Sequence, residues 1–431
     1  MKTVGIIAEY NPFHKGHSYQ IGEAKKRSGA DYCIVVMSGN FLQRGEAACL
    51  DKFTRAKCAL LSGADLVLEL SVPFATSTAP VFARNGIFLL QKTGVVTHLS
   101  FGCECDNLQG LQFLASFFEE EPADYQQLLK EKLKAGNSYP AARKSAFLAF
   151  CANHMDCIPD SVGLDSQYLS DLLDTPNNIL ALSYLRAIKS IASEIVPIPI
   201  KRKGSGYHDE FLGDEFSSAQ AIRNTLFTQG ITEKLLNALP EETRPVFTHA
   251  WENGAFVSTD AFSSQLYYKL LSLSGDFSMK GFISYNSYRK TSYEKFSEVT
   301  EAMANRIEKH LPEFTTFSEF TKLLMRKNET YSTISRGLLH ILLDIENEAF
   351  HAPQYFRVLG LKKEASPLLH EIKEKGSLPI VTKAADAASL LPAEALPLLE
   401  KDFFAENLYH SCFRHSASKG YHPYLQNPVL L

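Results

Sequence analysis

Along the first hundred residues, short apolar runs of strand length alternate with longer stretches of helical spacing. The runs are TVGIIAEY, DYCIVVMSG, DLVLELS and VTHLSFGCE. Between them lie the segment from His17 to Ser28, then DKFTRAKCALLSGA, then STAPVFARNGIFLLQKTG. Runs apolar at successive positions suit strands covered on both faces, so the alternation predicts an α/β fold with a parallel sheet and right-handed crossovers. Ligands of such sheets sit at the carboxyl ends of the strands. The residues able to do chemistry fall there: Glu9 to His17 after the first strand, SGNFLQRGE after the second, ELSVPFA after the third and FGCE after the fourth. From residue 236 onward, EKLLNALPEETRPVFTHA, DAFSSQLYYKLLSL, FTTFSEFTKLLMRKNETYSTISRGLLHILLDI and LPAEALPLLEKDFFAENLYH take helical spacing. The expected organisation is a Rossmann-like domain over 1–235, with a helical insertion over 106–176, followed by a mainly α-helical domain over 236–431.

Composition narrows the class. Hydrophobic residues make up 45% and charged ones 21%, and no apolar run approaches the ~20 residues that span a bilayer. The N-terminal apolar run ends in Glu, Tyr, Asn and Pro rather than at a small-residue cleavage site, so it reads as a strand, and the expected location is the cytoplasm. A net charge of −4 announces no nucleic-acid partner, so an RNA surface has to be a local patch. Eight cysteines in 431 residues are too few for a disulfide scaffold. Cys151, His154 and Cys157, and the pair Cys103 and Cys105, lack the doubled CxxC spacing of a structural zinc site and read as core thiols.

The segment AEYNPFHKGH delivers His14 and His17 after the first strand. A helix beginning near Gly16 aims its free N–H groups and positive dipole end at the strand ends, which makes an anion site. HKGH is an HxGH pattern and resembles the signature of nucleotidyltransferases and class I aminoacyl-tRNA synthetases. In that superfamily the two histidines stabilise charge on the phosphates of ATP, a task met by donors placed on the equatorial and leaving oxygens. EFSSAQAIRNTL puts Ser217 and Ser218 at a helix start and Arg223 one turn in, and resembles the SSTxIR triphosphate element. No GxxxxGK[ST] loop occurs, so a P-loop is not the phosphate device.

Taken together, AEYNPFHKGH, SGNFLQRGEAA, DKFTRAKCALLSGADLVLELSVPFA, FGCE, PNNILALSYLRAI, KRKGSGYHD, SSAQAIR and YFRVLGL resemble the bacterial tRNA(Met) cytidine acetate ligase family, in family order over most of the chain. The resemblance implies an enzyme that activates acetate with ATP to acetyl-adenylate. It then acetylates N4 of the wobble cytidine of elongator tRNA(Met), giving N4-acetylcytidine. It implies ATP contacts along Ile7, Ala8, Glu9, Tyr10, Asn11, Pro12, Phe13, His14, Lys15, Gly16, His17, Ser18, Tyr19 and Gln20, with His14 and His17 catalytic. Further ATP contacts are implied at Gly102, at Asn177 or Asn178, and at Arg202, Ser217, Ser218 and Arg223. The sequence departs from the family at Lys15, where Asn is common, and at Ala47, where Pro is common; neither removes a needed donor. Acetate is ionised at neutral pH and attacks phosphorus without a general base, so the lack of a Ser–His–Asp or Cys–His set is expected. The charge on the phosphates calls for Mg²⁺, with no ligands assignable.

Two weaker groups complete the reading. Gln43, Arg44, Asp51, Lys52 and Arg55 follow the second strand and form an expected acetate or cytidine pocket, set against the alternative of a solvated loop and helix cap. Lys322, Arg326, Lys327, Arg336 and Arg357 lie among aromatics and suit tRNA phosphates, set against a plain solvated helix face. Tyr207 and His208 in GSGYHD fit either a site or an aromatic-packed turn. Two other functions stay open: adenylylation of a small phosphorylated metabolite, which would not need the long helical region, and non-catalytic RNA binding, which would not need intact His14, His17 and Arg223.

Overall fold

The computed structural model describes residues 1–105, 107–154, 157–163, 165–191, 193–202, 212, 216–274, 292–347, 349–413 and 421–431. The first half builds β1 (Thr3–Ala8), α1 (Lys15–Ser28), β2 (Tyr32–Ser38), α2 (Lys52–Leu61), β3 (Leu66–Leu70), α3 (Ala79–Lys92), β4 (His98–Cys103), α4 (Pro176–Ser190), β5 (Val196–Lys201) and α5 (Ala219–Gln229). Strands β1 to β5 are parallel, in the order β5-β4-β1-β2-β3. The chain therefore steps outward from β1 to β3 and then crosses back to β4. That reversal leaves a crevice at the carboxyl ends of β1 and β4.

Both faces of the sheet are covered, as the unbroken apolar runs require. Val4, Ile6, Val35 and Val67 pack with Ile21 and Ala24 of α1 and Ala56 and Leu60 of α2. Ile7, Val36, Leu68 and Leu99 face the other way, against Ile87 of α3 and Ala181 of α4. Close seating of α3 on β1 needs Gly5 and Gly86: an added Cβ would fall 2.7 Å from Leu90 and from Ile7 respectively. Helices Leu108–Glu120, Ala123–Lys134 and Tyr139–Asn153 form an insertion between β4 and α4.

Beyond residue 236 the chain is mainly helical, as expected, and also contributes strands to the sheet. The helices between Arg244 and Leu342 bury Leu266, Met303, Phe317, Phe320 and Leu338 together, and Phe41 and Tyr409 belong to the same cluster. The chain then returns to the sheet as β6 (Phe356–Leu361), antiparallel to β3, with β7 (Ile380–Val381) and β8 (Val429–Leu430) beside it and α6 (Leu396–His410) between them. The region read as a helical domain thus also completes the α/β sheet. The physical reason is that FRVLGL is buried at all six positions, and a run this short is readable only through its partner strand. Among the described residues no helix is long and apolar enough to cross a membrane.

Candidate functional site

The local sequence sets the geometry of the two histidines. His14 is the N-cap of α1, extended at φ −144° and ψ 174°, and His17 is its third helical residue. His14 Nδ1 accepts from the Gly16 N–H at 3.0 Å, and His17 Nδ1 accepts from the His14 N–H at 3.3 Å. This is a capping box in which imidazole nitrogens replace the usual Ser and Glu oxygens. Both Nδ1 atoms are consumed as acceptors, so each neutral ring carries its proton on Nε2. The rings lie 3.8 Å apart, centroid to centroid, and Tyr10 and Phe13 pack on His17 at 4.8 and 5.6 Å. Burial, with Arg202 and Arg223 adding to it, lowers the His14 pKa to about 3. Burial also drives His17 far below its ordinary value, with His14 and Arg202 contributing. At neutral pH the pair is uncharged and donates N–H.

His14 and His17 line a cleft with Gly16, Tyr19, Gln20, Gly102, Ile200, Lys201, Arg202, Phe216 and Ser217. It sits at the crevice created by the strand reversal. An added Cβ at Gly102 meets nothing closer than Arg202 Cγ at 3.7 Å, so the fold tolerates a side chain there and the cleft would lose the space. Arg202 donates to Asn177 Oδ1 at 3.4 Å, and Asn177 donates to Glu104 Oε1 at 2.6 Å. Asn178 is fully buried and caps the end of β4 by accepting from the Glu104 N–H at 3.0 Å. Of the two asparagines, Asn177 is therefore the one beside Arg202. Ser218 caps α5 through Ala221 N–H, and Arg223 reaches back to the Asn11 carbonyl at 2.7 Å.

The remaining members of the Ile7–Gln20 stretch serve the frame. Ile7, Tyr10 and Phe13 are buried in the core; Ala8 packs against it, and Asn11 Oδ1 accepts from the Cys49 N–H at 2.7 Å. Pro12 follows a cis peptide bond, and Lys15 and Ser18 are not among the residues that line the cleft. Glu9 Oε1 accepts from the Gln43 N–H at 2.8 Å, and Gln43 Nε2 donates to the Ser77 carbonyl at 3.2 Å. Ile200, Lys201 and Phe216 line the cleft without having been singled out in the sequence. The alternation of Ile198, Ile200 and Arg202 along β5 was the available signal.

Three of the residues expected to form an acetate or cytidine pocket do something else. Asp51 caps α2, accepting from Phe53 and Thr54 N–H at 2.9 and 3.1 Å. Arg55 is fully buried, and its guanidinium donates to the carbonyls of Leu50, Glu9, Ser38 and Gly39, tying the ends of β1 and β2 together. Lys52 is buried against Glu69, at 2.8 Å from both oxygens, and Glu406, at 2.6 Å. Arg357, expected on a tRNA surface, completes the same network from β6, at 3.3 Å from Glu69 and 2.9 Å from Glu406. Arg336 is likewise buried and paired with Glu298 at 3.1 Å. A buried, paired cation offers no charge to an outside phosphate. Gln43 and Arg44 are half-buried and do not line the cleft, and Lys322, Arg326 and Lys327 are exposed, Lys322 paired with Glu319 at 2.7 Å. Tyr207 and His208 lie outside the described residues. Among the described residues no three His, Cys, Asp or Glu side chains are arranged to hold a metal ion.

The chain matches the model of the family described as HIGH Nucleotidyl Transferase over residues 1–422. It is 37% identical over 424 residues to the tRNA(Met) cytidine acetate ligase of Thermoanaerobacter sp. (strain X514), covering 97% of this chain and 98% of that protein. It is 33% identical over 444 residues to the enzyme of the same name from Acetivibrio thermocellus, with 100% of each chain covered. Among solved structures, Thermotoga maritima TmcAL bound with α-thio ATP is similar at a TM-score of 0.86 and 31% identity, over 100% of both chains. The apo form of that protein gives 0.87.

Proposed function

Because this chain belongs to the tRNA(Met) cytidine acetate ligase family of HIGH nucleotidyl transferases, we propose that it joins acetate to N4 of the wobble cytidine of elongator tRNA(Met) at the expense of ATP. The observation that carries the reading is the pair of neutral imidazoles whose Nε2–H groups are left for the cleft by a capping box, at the N-terminus of α1. An acetate oxygen attacks the α-phosphorus, and pyrophosphate leaves with the bonding electrons. The Nε2–H donors of His14 and His17, with Arg202 and Arg223 nearby, stabilise charge on the phosphate oxygens, and they need no reorganisation as that charge develops. Gly102, Ile200 and Phe216 form the wall for the nucleoside. Mg²⁺ would arrive with ATP and offset part of the phosphate charge. The exocyclic amine of cytosine is a weak nucleophile because its lone pair is delocalised into the ring, so the acyl group has to come as a mixed anhydride. In this reading Arg326 and Lys327, exposed between two helices, contact tRNA phosphates. The reaction takes place in the cytoplasm, where its tRNA substrate resides.

The test is transfer of labelled acetate to purified tRNA, with and without ATP, followed by nucleoside analysis. Label in N4-acetylcytidine only when ATP is present supports the reading. A folded enzyme that leaves unmodified elongator tRNA(Met) unlabelled refutes it.

A further inference from the structure

We propose that Glu104 is a positioning residue that, through Asn177, holds the Arg202 guanidinium at the edge of the ATP cleft. The inference deepens the function proposed above and rests only on its ATP-binding part.

Strands β4 and β5 bring the residues together. Gly102 faces Ile200 in the parallel register, and Glu104 and Arg202 each stand two residues further along. The Arg202 N–H continues the ladder by donating to the Cys103 carbonyl at 2.9 Å. The stem of Arg202 passes over Gly102, its Cγ 3.7 Å from where a Cβ would stand. The first turn of α4 supplies the other partners. Asn178 Oδ1 accepts from the Glu104 N–H at 3.0 Å, and Asn177 Nδ2 donates to Glu104 Oε1 at 2.6 Å. Backbone and carboxylate of Glu104 are thus tied to one helix start, whose positive dipole end favours a negative charge. Asn177 Oδ1 in turn accepts from Arg202 Nη1 at 3.4 Å.

Arg202 lines the cleft, whereas Glu104, Asn177 and Asn178 do not. What Glu104 and Asn177 do for a bound nucleotide therefore passes through Arg202. Among the described residues Asn177 is the one hydrogen-bond partner of the Arg202 guanidinium. An arginine on an exposed rim otherwise spreads over many rotamers, and ordering it on binding costs affinity.

Hydrogen-bond chemistry says why the far end of this chain is a carboxylate. A guanidinium only donates and a carboxylate only accepts, so the amide between them has one orientation, with its N–H towards Glu104 and its Oδ1 towards Arg202. Glu104→Gln would bring an N–H of its own, able to take Asn177 Oδ1 and turn Nδ2 against the guanidinium. Glu104 Oε2 is buried and has no hydrogen-bond partner among the described residues. An unpaired buried carboxylate oxygen is a cost that packing alone does not require. The need for a side chain without N–H accounts for it.

The experiment measures ATP affinity by titration calorimetry in wild type, Glu104→Met, Glu104→Gln, Arg202→Ala and the double variant Glu104→Met/Arg202→Ala. Glu104→Met removes the acceptor at similar length and should weaken ATP binding by about 10-fold, on the order of one hydrogen bond. Glu104→Gln keeps an acceptor without fixing the amide and should fall between Glu104→Met and wild type. In the Arg202→Ala background Glu104→Met should cause no further loss, because the group it positions is gone. That absence separates positioning from folding, since a damaged fold would weaken the double variant as well. Should Glu104→Met not fold, Asn177→Ala breaks the same chain and should reproduce both results. Wild-type affinity in the chain-breaking variant overturns the proposal and leaves the proposed function standing, and so does an equal loss with and without Arg202. ATP binding that survives while the labelled-acetate assay fails refutes the ligase reading alone. A wild type that does not bind ATP refutes the proposed function and the Glu104 role together.

Discussion

Replacing His17 separates its two tasks. In the structure its Nδ1 accepts the His14 N–H at 3.3 Å, while its Nε2–H is left for the cleft. Glu at this third helical position is a standard capping-box residue, since its side-chain oxygen can reach the same N–H and it carries no N–H of its own. His17→Glu should therefore keep the cap and lose the donor, whereas His17→Ala loses both. One donor aimed at developing charge is worth about 3–4 kcal/mol, so both variants should slow acetate-dependent ATP–pyrophosphate exchange by at least about 10²–10³-fold. The cap itself contributes about 1 kcal/mol, which for a chain of this size moves the melting temperature by about 1 °C. His17→Ala should show that drop in calorimetry and His17→Glu should not. Full exchange activity in His17→Glu would show that the Nε2–H is not used. A wild-type melting temperature in His17→Ala would show that the box does not hold the helix.

Other expectations follow from the same geometry. Lys52→Met leaves Arg357 as the one cation paired with Glu69 and Glu406 among the described residues, and should cost about 3–5 kcal/mol in urea unfolding; adenylate formation per folded molecule should be unchanged, and a wild-type unfolding midpoint would refute the network's role. Gly102→Leu should fold normally and lose ATP affinity on the order of 10²-fold, because misplacement of about 1 Å costs that much; titration with ATP checks it, and unaltered affinity would move the nucleoside elsewhere. His14 has its folded pKa lowered to about 3 from 6.5, so below 6.5 the unfolded chain takes up a proton that the folded one refuses. Stability contributed by the neutral ring is complete above 6.5 and is lost as pH falls towards 3. Urea midpoints measured across that window should decline, and the decline should be shallower in His14→Gln. Reversing Arg326 and Lys327 to Glu should weaken tRNA binding and reduce the salt slope by about 1 for each phosphate no longer neutralised. An unchanged slope would exclude both from the interface.

Sequence alone determined what depends on neighbours a few residues away. The α/β alternation, the turn after β1, a helix start near Gly16 that gathers both histidines and the Ser218 cap are all local, because a helix start or a buried strand is written within about one helical turn or one strand length; that His14 is itself the cap emerged only in the structure. Tertiary structure decided which charges are available. Lys52 and Arg55 look in the sequence like pocket residues of a polar loop, as Arg336 and Arg357 look like surface cations. Their burial follows from partners far along the chain, Glu406 standing 354 residues from Lys52 and Glu298 38 residues from Arg336. Likewise FRVLGL becomes a strand because β3 presents an open edge to it, with Glu69 directly opposite Arg357. A cation's ordinary identity is fixed by its side chain, but whether it meets solvent, a substrate or a buried carboxylate depends on which distant segment the fold brings against it.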